Sequence, residues 1–164
     1  MKALITGGAR SGKSRHALAL AESLHPHRVF LATAQPLDAE MAARIRAHQA
    51  ERGPSWRTVE APLELAPELA RDAAVVIDCL TLWVSNLMHA GRDVPREGAR
   101  LVEAVRAAGN PVVVVTNEVG LGIVPDSALA RAFRDHLGTL AQRMAAACDH
   151  VALLCAGIPL VLKG

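Results

Sequence analysis

Lys2-Ala3-Leu4-Ile5-Thr6-Gly7-Gly8-Ala9-Arg10-Ser11-Gly12-Lys13-Ser14 is the stretch that decides the fold. Residues Lys2 to Thr6 form a short, β-rich apolar run, as a strand buried on both faces requires. Gly7 to Ser14 then fits the pattern G-x-x-x-x-G-K-[ST], and it stands after a strand and at the start of a helix, where that pattern works as a phosphate-binding loop. Glycines let such a loop curl until successive backbone N–H groups point at phosphate oxygens. The positive end of the helix that follows adds to their field. In that chemistry the lysine reaches the β and γ phosphates of a nucleoside triphosphate and the hydroxyl ligates Mg²⁺. Gly7, Gly8, Ala9, Arg10, Ser11, Gly12, Lys13 and Ser14 are therefore candidate nucleotide-binding residues. Lys13 is also a candidate catalytic group and Ser14 a candidate metal ligand. A glycine turn that merely joins strand to helix would leave the lysine and the hydroxyl unexplained.

Outward from this loop, short β-rich runs alternate with amphipathic stretches, the pattern of a parallel sheet covered by helices on both faces. Strands are expected at Lys2 to Thr6, Val29 to Ala32, Val75 to Asp78, Val112 to Thr116 and Val151 to Cys155, with weaker ones at Trp56 to Glu60 and Leu160 to Leu162. Gly157-Ile158-Pro159 reads as a tight turn that brings the last strand back antiparallel at one edge. Helices are expected at Lys13 to Leu24, Asp38 to Glu51, Leu63 to Arg71, Leu80 to His89, Arg96 to Ala107 and Ser127 to Cys148. The last opens on Ser127 as N-cap. Its residues Leu129, Phe133, Leu137, Leu140 and Met144 recur at helical spacing, which predicts a core stripe. Ala90 to Pro95 reads as an exposed loop.

At 164 residues the chain suits one domain, residues 1–164, with no repeat or linker. A formal net charge of +2 with scattered arginines, together with two Trp, two Phe and no Tyr, argues against a nucleic-acid partner. Cys79, Cys148 and Cys155 are widely spaced without a C-x-x-C pair and read as reduced, packed thiols. The N-terminus runs directly into the first strand, and no apolar run approaches about 18 residues, so a cytoplasmic protein without a membrane span is expected.

Ala74-Val75-Val76-Ile77-Asp78 is an apolar strand ending in a carboxylate. Beside a phosphate loop, Asp78 reads as a holder of Mg²⁺ and its water shell; alone it would read as a helix N-cap. Thr33, Gln35, Thr116, Asn117 and Glu118 also follow strands, at the end where open α/β sheets bind ligands, although loop hydrogen bonding explains each equally well. In the helix from Asp38, Met41, Ile45 and His48 share a face. From spacing, His48 reads as a core histidine with one satisfied nitrogen. The alternative is a nucleophile, because a neutral imidazole can attack the α-phosphorus of a bound triphosphate and form a phosphoramidate. Arg44, Arg46 and Arg52 could offset phosphate charge there or stand as solvated helix positions.

Several blocks resemble the bifunctional adenosylcobinamide kinase and adenosylcobinamide-phosphate guanylyltransferase family. They are Gly7 to Ala17; Ala32-Thr33-Ala34-Gln35 with Asp38 and Glu40-Met41; Arg44-Ile45-Arg46-Ala47-His48; Trp56 to Glu60; Asp78 to Leu87; and Thr116 to Pro125. They occur in order over nearly the whole chain. The resemblance implies an α/β, three-layer P-loop NTPase (RecA-like) fold with a mostly parallel doubly wound sheet and one antiparallel edge strand. It implies ATP and GTP as substrates, Mg²⁺ as cofactor, adenosylcobinamide and its phosphate as partners, and a homotrimer. It further implies that His48 carries a covalent GMP and that Thr33, Ala34, Gln35, Gln49, Arg52, Glu60 and Asp78 lie around the nucleotide. Family members often carry two adjacent histidines where this chain has Ala47 and His48, and an Asn where it has Ala141. The rival readings are a P-loop small-molecule kinase without nucleotidyl transfer and a regulatory NTPase whose hydrolysis drives a partner.

Overall fold

The apolar runs assemble side by side because a strand buried on both faces satisfies its backbone only through neighbouring strands. In the computed structural model, which describes residues 1–36, 39, 42, 43, 45, 49 and 52–164, seven strands form one sheet in the order β3-β2-β4-β5-β1-β6-β7. They are β1 (Lys2–Gly7), β2 (Arg28–Ala32), β3 (Trp56–Glu60), β4 (Ala74–Asp78), β5 (Val112–Val115), β6 (His150–Cys155) and β7 (Ile158–Lys163). Every neighbouring pair is parallel except β6 with β7, which is antiparallel at the edge.

The helices that cover the sheet are α1 (Lys13–Leu24), α2 (Leu80–His89), α3 (Val94–Ala107) and α4 (Ala128–Ala147). Alternate residues of the strands sort them into two layers. Leu4, Val75, Ile77, Val112 and Val114 pack with Leu80, Leu101 and Leu137 of α2, α3 and α4. Ala3, Ile5, Val76, Val113 and Val115 pack with Ala17 and Ala21 of α1 on the opposite face. Among the described residues no helix is long and apolar enough to cross a membrane.

Of the helix expected from Asp38 to Glu51, Ala39, Ala42, Ala43, Ile45 and Gln49 are helical. Asp38, Glu40, Met41, Arg44, Arg46, Ala47, His48, Ala50 and Glu51 lie outside the described residues.

Four expectations need correction. Between Leu63 and Arg71 only Ala66–Glu68 is helical, as one 3₁₀ turn. Leu65 and Leu69 are buried at helical spacing, but Pro67 lacks the N–H and carries the ring that together prevent a longer helix. The helix expected from Arg96 starts at Val94, because Asp93 caps it by accepting from the Arg96 N–H at 3.0 Å and Pro95 is tolerated in its first turn. Leu129 is not core: it stands 62% exposed, and the buried stripe of α4 begins with Leu137. The final turn is Ala156-Gly157, whose positive φ values of 51° and 83° suit a two-residue hairpin, and Ile158 and Pro159 already belong to β7.

Candidate functional site

The parallel strands end in register. Ala32 pairs with both Glu60 and Asp78, and Asp78 pairs with Val115. Thr33, Glu60, Asp78 and Thr116 thus share the carboxyl edge of the sheet with the loop that follows β1, the edge at which α/β sheets hold ligands. They are not all close to one another. Glu60 ends the outer strand β3, four strands from β1, which at the usual strand spacing is about 19 Å. Any ligand touching both must lie along the edge, with phosphates over β1 and its far end towards β3.

The phosphate loop is shaped by its glycines. A Cβ on Gly7 would stand 2.5 Å from the Leu154 carbonyl oxygen, and the residue has φ +148°, so only glycine fits there. Gly12 caps α1 with φ +94°, among the described residues no side chain makes a cap hydrogen bond to that helix, and its first turn holds no acidic residue. Those donors and the helix dipole are available to an anion. Arg10, at φ 54°, and Ser11 complete the curl, with the Ser11 N–H donating to the Gly8 carbonyl at 3.3 Å. Ala9 and Arg10 are exposed, and Ser14 is half-buried in the first turn of α1.

Lys13 is buried, and its Nζ donates to the Gly8 carbonyl at 2.6 Å. Burial pushes its pKa below the usual lysine value, while Cys79 and Asp78 act in the opposite direction. Asp78 is therefore within electrostatic reach of the lysine. Ser14 and Asp78 supply a hydroxyl and a carboxylate, oxygen donors of the kind a hard divalent cation takes. Between β4, which ends in Asp78, and β1, which leads into the phosphate loop, lies β5, and Thr116 just after it is buried with a hydroxyl that has no hydrogen-bond partner among the described residues. A buried orphan hydroxyl is costly unless something bonds to it, and its position on this edge fits a phosphate oxygen or a metal-bound water.

Other expected residues have different surroundings. Thr33 is fully buried, and its hydroxyl donates to the Cys79 carbonyl at 2.9 Å and accepts from the Cys79 N–H at 2.7 Å. It therefore clasps the end of β2 to the residue after Asp78, and its side chain faces no open surface. Arg52 stacks its guanidinium 3.7 Å from the Phe30 ring centroid and donates to the Thr58 hydroxyl at 3.2 Å. Phe30 and Thr58 are paired two residues short of the strand ends, so Arg52 lies over the sheet face. Ala34 and Gln35 are half-buried at the edge, whereas Gln49 and Glu60 are exposed. His48 is outside the described residues.

The thiols divide. Cys79 and Cys148 are buried, and burial pushes each up to about 11. Cys155 is exposed, which corrects the expectation of three packed thiols; it ends β6 just before the hairpin turn.

Polar residues inside apolar α2 were not singled out from sequence. The Thr81 hydroxyl accepts from the Asn117 N–H at 2.8 Å, and the Asn86 amide donates to the carbonyls of Thr33 and Pro62 at 2.8 and 3.0 Å. Both hold the loops of the carboxyl edge. The signal lay in Leu80-Thr81-Leu82-Trp83-Val84-Ser85-Asn86-Leu87, where Thr81, Ser85 and Asn86 interrupt an otherwise apolar stretch.

A cavity of about 560 Å³ is at the other end of the sheet, lined by Arg28, Trp56, Arg57 and Arg71 among others. It contains no residue of the phosphate loop and lies at the amino ends of β2, β3 and β4, so it is not this site.

Residues 3–162 match the family described as cobinamide kinase / cobinamide phosphate guanyltransferase. The chain is 43% identical to the bifunctional adenosylcobalamin biosynthesis protein CobU of Salmonella typhimurium, over 99% of this chain and 100% of that protein. It is 42% identical to CobP of Pseudomonas aeruginosa, over 100% and 98% of the two chains. It is also 42% identical to CobU of Escherichia coli, over 99% and 100%. A solved structure, the PH0250 project protein of Pyrococcus horikoshii, shares the fold with a TM-score of 0.51 at 10% identity, over 99% of this chain and 86% of that one.

Proposed function

The chain belongs to the cobinamide kinase / cobinamide phosphate guanyltransferase family, and from that premise we propose that it phosphorylates adenosylcobinamide and then transfers GMP from GTP to the product, giving adenosylcobinamide-GDP for cobalamin synthesis. The observation that carries this reading is the phosphate loop itself, with Lys13 buried in it, uncapped helix donors behind it and Asp78 within electrostatic reach.

In the first step the aminopropanol hydroxyl of adenosylcobinamide attacks the γ-phosphorus of ATP or GTP. The bond from that phosphorus to the β-bridging oxygen breaks, a nucleoside diphosphate leaves, and the hydroxyl proton passes to solvent. Little covalent chemistry is asked of the protein; positioning and charge carry the step. The loop amides and the Lys13 ammonium, turned from the Gly8 carbonyl to the phosphates, hold the triphosphate. Mg²⁺, held by Ser14 and Asp78, would neutralise charge on the phosphates when bound.

In the second step a ring nitrogen of His48 attacks the α-phosphorus of GTP and pyrophosphate leaves. A phosphate oxygen of adenosylcobinamide phosphate then attacks the same phosphorus and breaks the P–N bond, returning neutral His48. The span of about 19 Å from the phosphate loop to Glu60 fits a nucleotide lying along the sheet edge. Glu60 and Gln35 stand at the nucleoside end.

We take the assembly to be a homotrimer, with a native mass about three times the 17.3 kDa chain. The test of function is intact mass after incubation with GTP and Mg²⁺, for wild type and His48→Ala. An acid-labile GMP adduct on wild type alone supports the reading. A wild type without adduct that still phosphorylates the corrinoid is a kinase only.

A further inference from the structure

The loop between β5 and α4 presents a pinned apolar tip beside the phosphate site. At its start the Glu118 N–H donates to the Gly7 carbonyl at 3.0 Å and the Asn117 N–H to the Thr81 hydroxyl at 2.8 Å. The Glu118 carboxylate accepts from the Gly120 N–H at 2.6 Å. At its end the Arg131 guanidinium donates to the carbonyls of Pro125 and Asp126 at 2.8 and 2.7 Å. Between these anchors Val119 packs on the core, while Leu121 is 90% and Ile123 97% exposed, and Val124 is exposed beside them. No charged residue occurs from Val119 to Pro125.

Single exposed leucines need no explanation. Here, however, the segment is fixed at its start to Gly7 of the phosphate loop and at its end to Arg131 of α4, and its uncharged tip is held in water.

We infer that Leu121 and Ile123 form the docking surface for the corrin macrocycle of the acceptor, and so determine corrinoid affinity. This rests on the function proposed above. The acceptor hydroxyl must reach the γ-phosphate over β1, so the ring, joined to it through the aminopropanol arm, has to rest on the rim within that arm's reach of the phosphate loop. On the β6 side that rim is filled by the hairpin turn, where the Gly157 N–H donates to the Ser11 carbonyl at 3.0 Å. On the β5 side it is this loop. Leu121 and Ile123 follow Glu118 by three and five residues, within about 11 and 18 Å of that residue at full extension, and Glu118 is bonded to Gly7. A corrin presents methyl-bearing, apolar faces and neutral amides, and an uncharged apolar tip matches them without desolvating an ion. A second copy of the chain is the poorer occupant. A stable subunit contact engages roughly 20–30 residues a side, far more than this tip offers, and the longer exposed apolar run, Ile158 to Leu162, lies on β7.

The test is the Leu121→Ser/Ile123→Ser variant, with Leu121→Met/Ile123→Val as the conservative control. GMP-adduct formation from GTP needs no corrinoid and reports an intact phosphate loop; native mass reports assembly. With both as in wild type, the serine variant is expected to raise the KM for adenosylcobinamide about tenfold or more, as the loss of one buried apolar side chain would. The KM for nucleotide stays unchanged, and the conservative variant restores corrinoid affinity. An unchanged corrinoid KM overturns the inference. So does a fall in native mass, which would assign the tip to a neighbouring subunit. If wild type itself neither forms the adduct nor phosphorylates corrinoid, the proposed function fails and takes the inference with it.

Discussion

The backbone N–H of Gly157 donates to the Ser11 carbonyl at 3.0 Å, which fastens the turn of the final hairpin to the phosphate loop. Gly157 also has its Cα 3.4 Å from where a Cβ on Gly12 would stand, so the turn buttresses the loop from the side of β6. The curvature of the loop depends on residues at opposite ends of the chain.

Gly157→Val places a β-branched residue at φ +83°, a conformation that costs about 1–2 kcal/mol outside glycine. At roughly 2–4 °C per kcal/mol for a chain of this size, Tm should fall by about 2–8 °C, and nucleotide affinity should weaken several-fold as the turn shifts. Gly91→Val is the control: its φ is 64°, a Cβ there meets nothing within 4 Å, and it lies in the loop after α2. It should lose Tm and keep nucleotide affinity. Equal loss of affinity in both variants would mean that the turn does not brace the site.

Thr33→Val keeps the shape of the side chain and removes the hydroxyl that serves the N–H and carbonyl of Cys79. Leaving such buried groups unpaired costs about 1–3 kcal/mol. Thermal unfolding should show that loss, and phosphoryl transfer should drop with it because Asp78 is the residue next to the broken clasp. Thr33→Ser retains the hydroxyl and should recover most of both. If Thr33→Val unfolds at the wild-type temperature, the clasp contributes nothing.

The strands and the phosphate loop were legible because their causes are local. Continuous apolar runs can be buried only inside a sheet, and Gly7 to Ser14 states its own geometry. What escaped has non-local causes. Leu129 matches the periodicity of α4, but among the described residues no other element covers it, and it stands exposed. The hydroxyl of Thr33 is engaged by Cys79 across two strands, which no spacing rule reports. Thr81 and Asn86 read as minor interruptions of α2 until the loops they hold are placed beside them. Glu60 and Gly7 both lie on the carboxyl edge, yet the strand order, invisible in sequence, separates them by four strands.

Thiol chemistry should separate the cysteines. Cys155 is exposed, whereas Cys79 and Cys148 are buried with their thiols pushed up to about 11, far from the thiolate form at neutral pH. Iodoacetamide at neutral pH should therefore modify Cys155 alone in the folded protein and all three residues in denaturant. Peptide mapping that finds native modification at Cys79 would contradict the packing between α1 and the sheet.

Lys13 joins stability and function with opposite signs. Burial lowers its pKa below 10.5, so at neutral pH the folded protein holds a cation that is less well solvated than in the unfolded chain. Below the folded pKa that penalty is complete. As pH rises from the folded value towards 10.5, the folded state releases its proton first, the unfolded state binds more protons, and stability rises. Triphosphate binding needs the cation and should weaken over the same window. Lys13→Met removes both effects. It should weaken nucleotide binding by about 10–100-fold, as loss of a charge-assisted hydrogen bond of roughly 1.5–3 kcal/mol implies, without lowering Tm. The checks are Tm and nucleotide Kd for both proteins as pH rises from neutral towards 10.5. A wild-type Kd that is flat across this range, or a Lys13→Met protein that binds nucleotide normally, would remove Lys13 from the phosphate site.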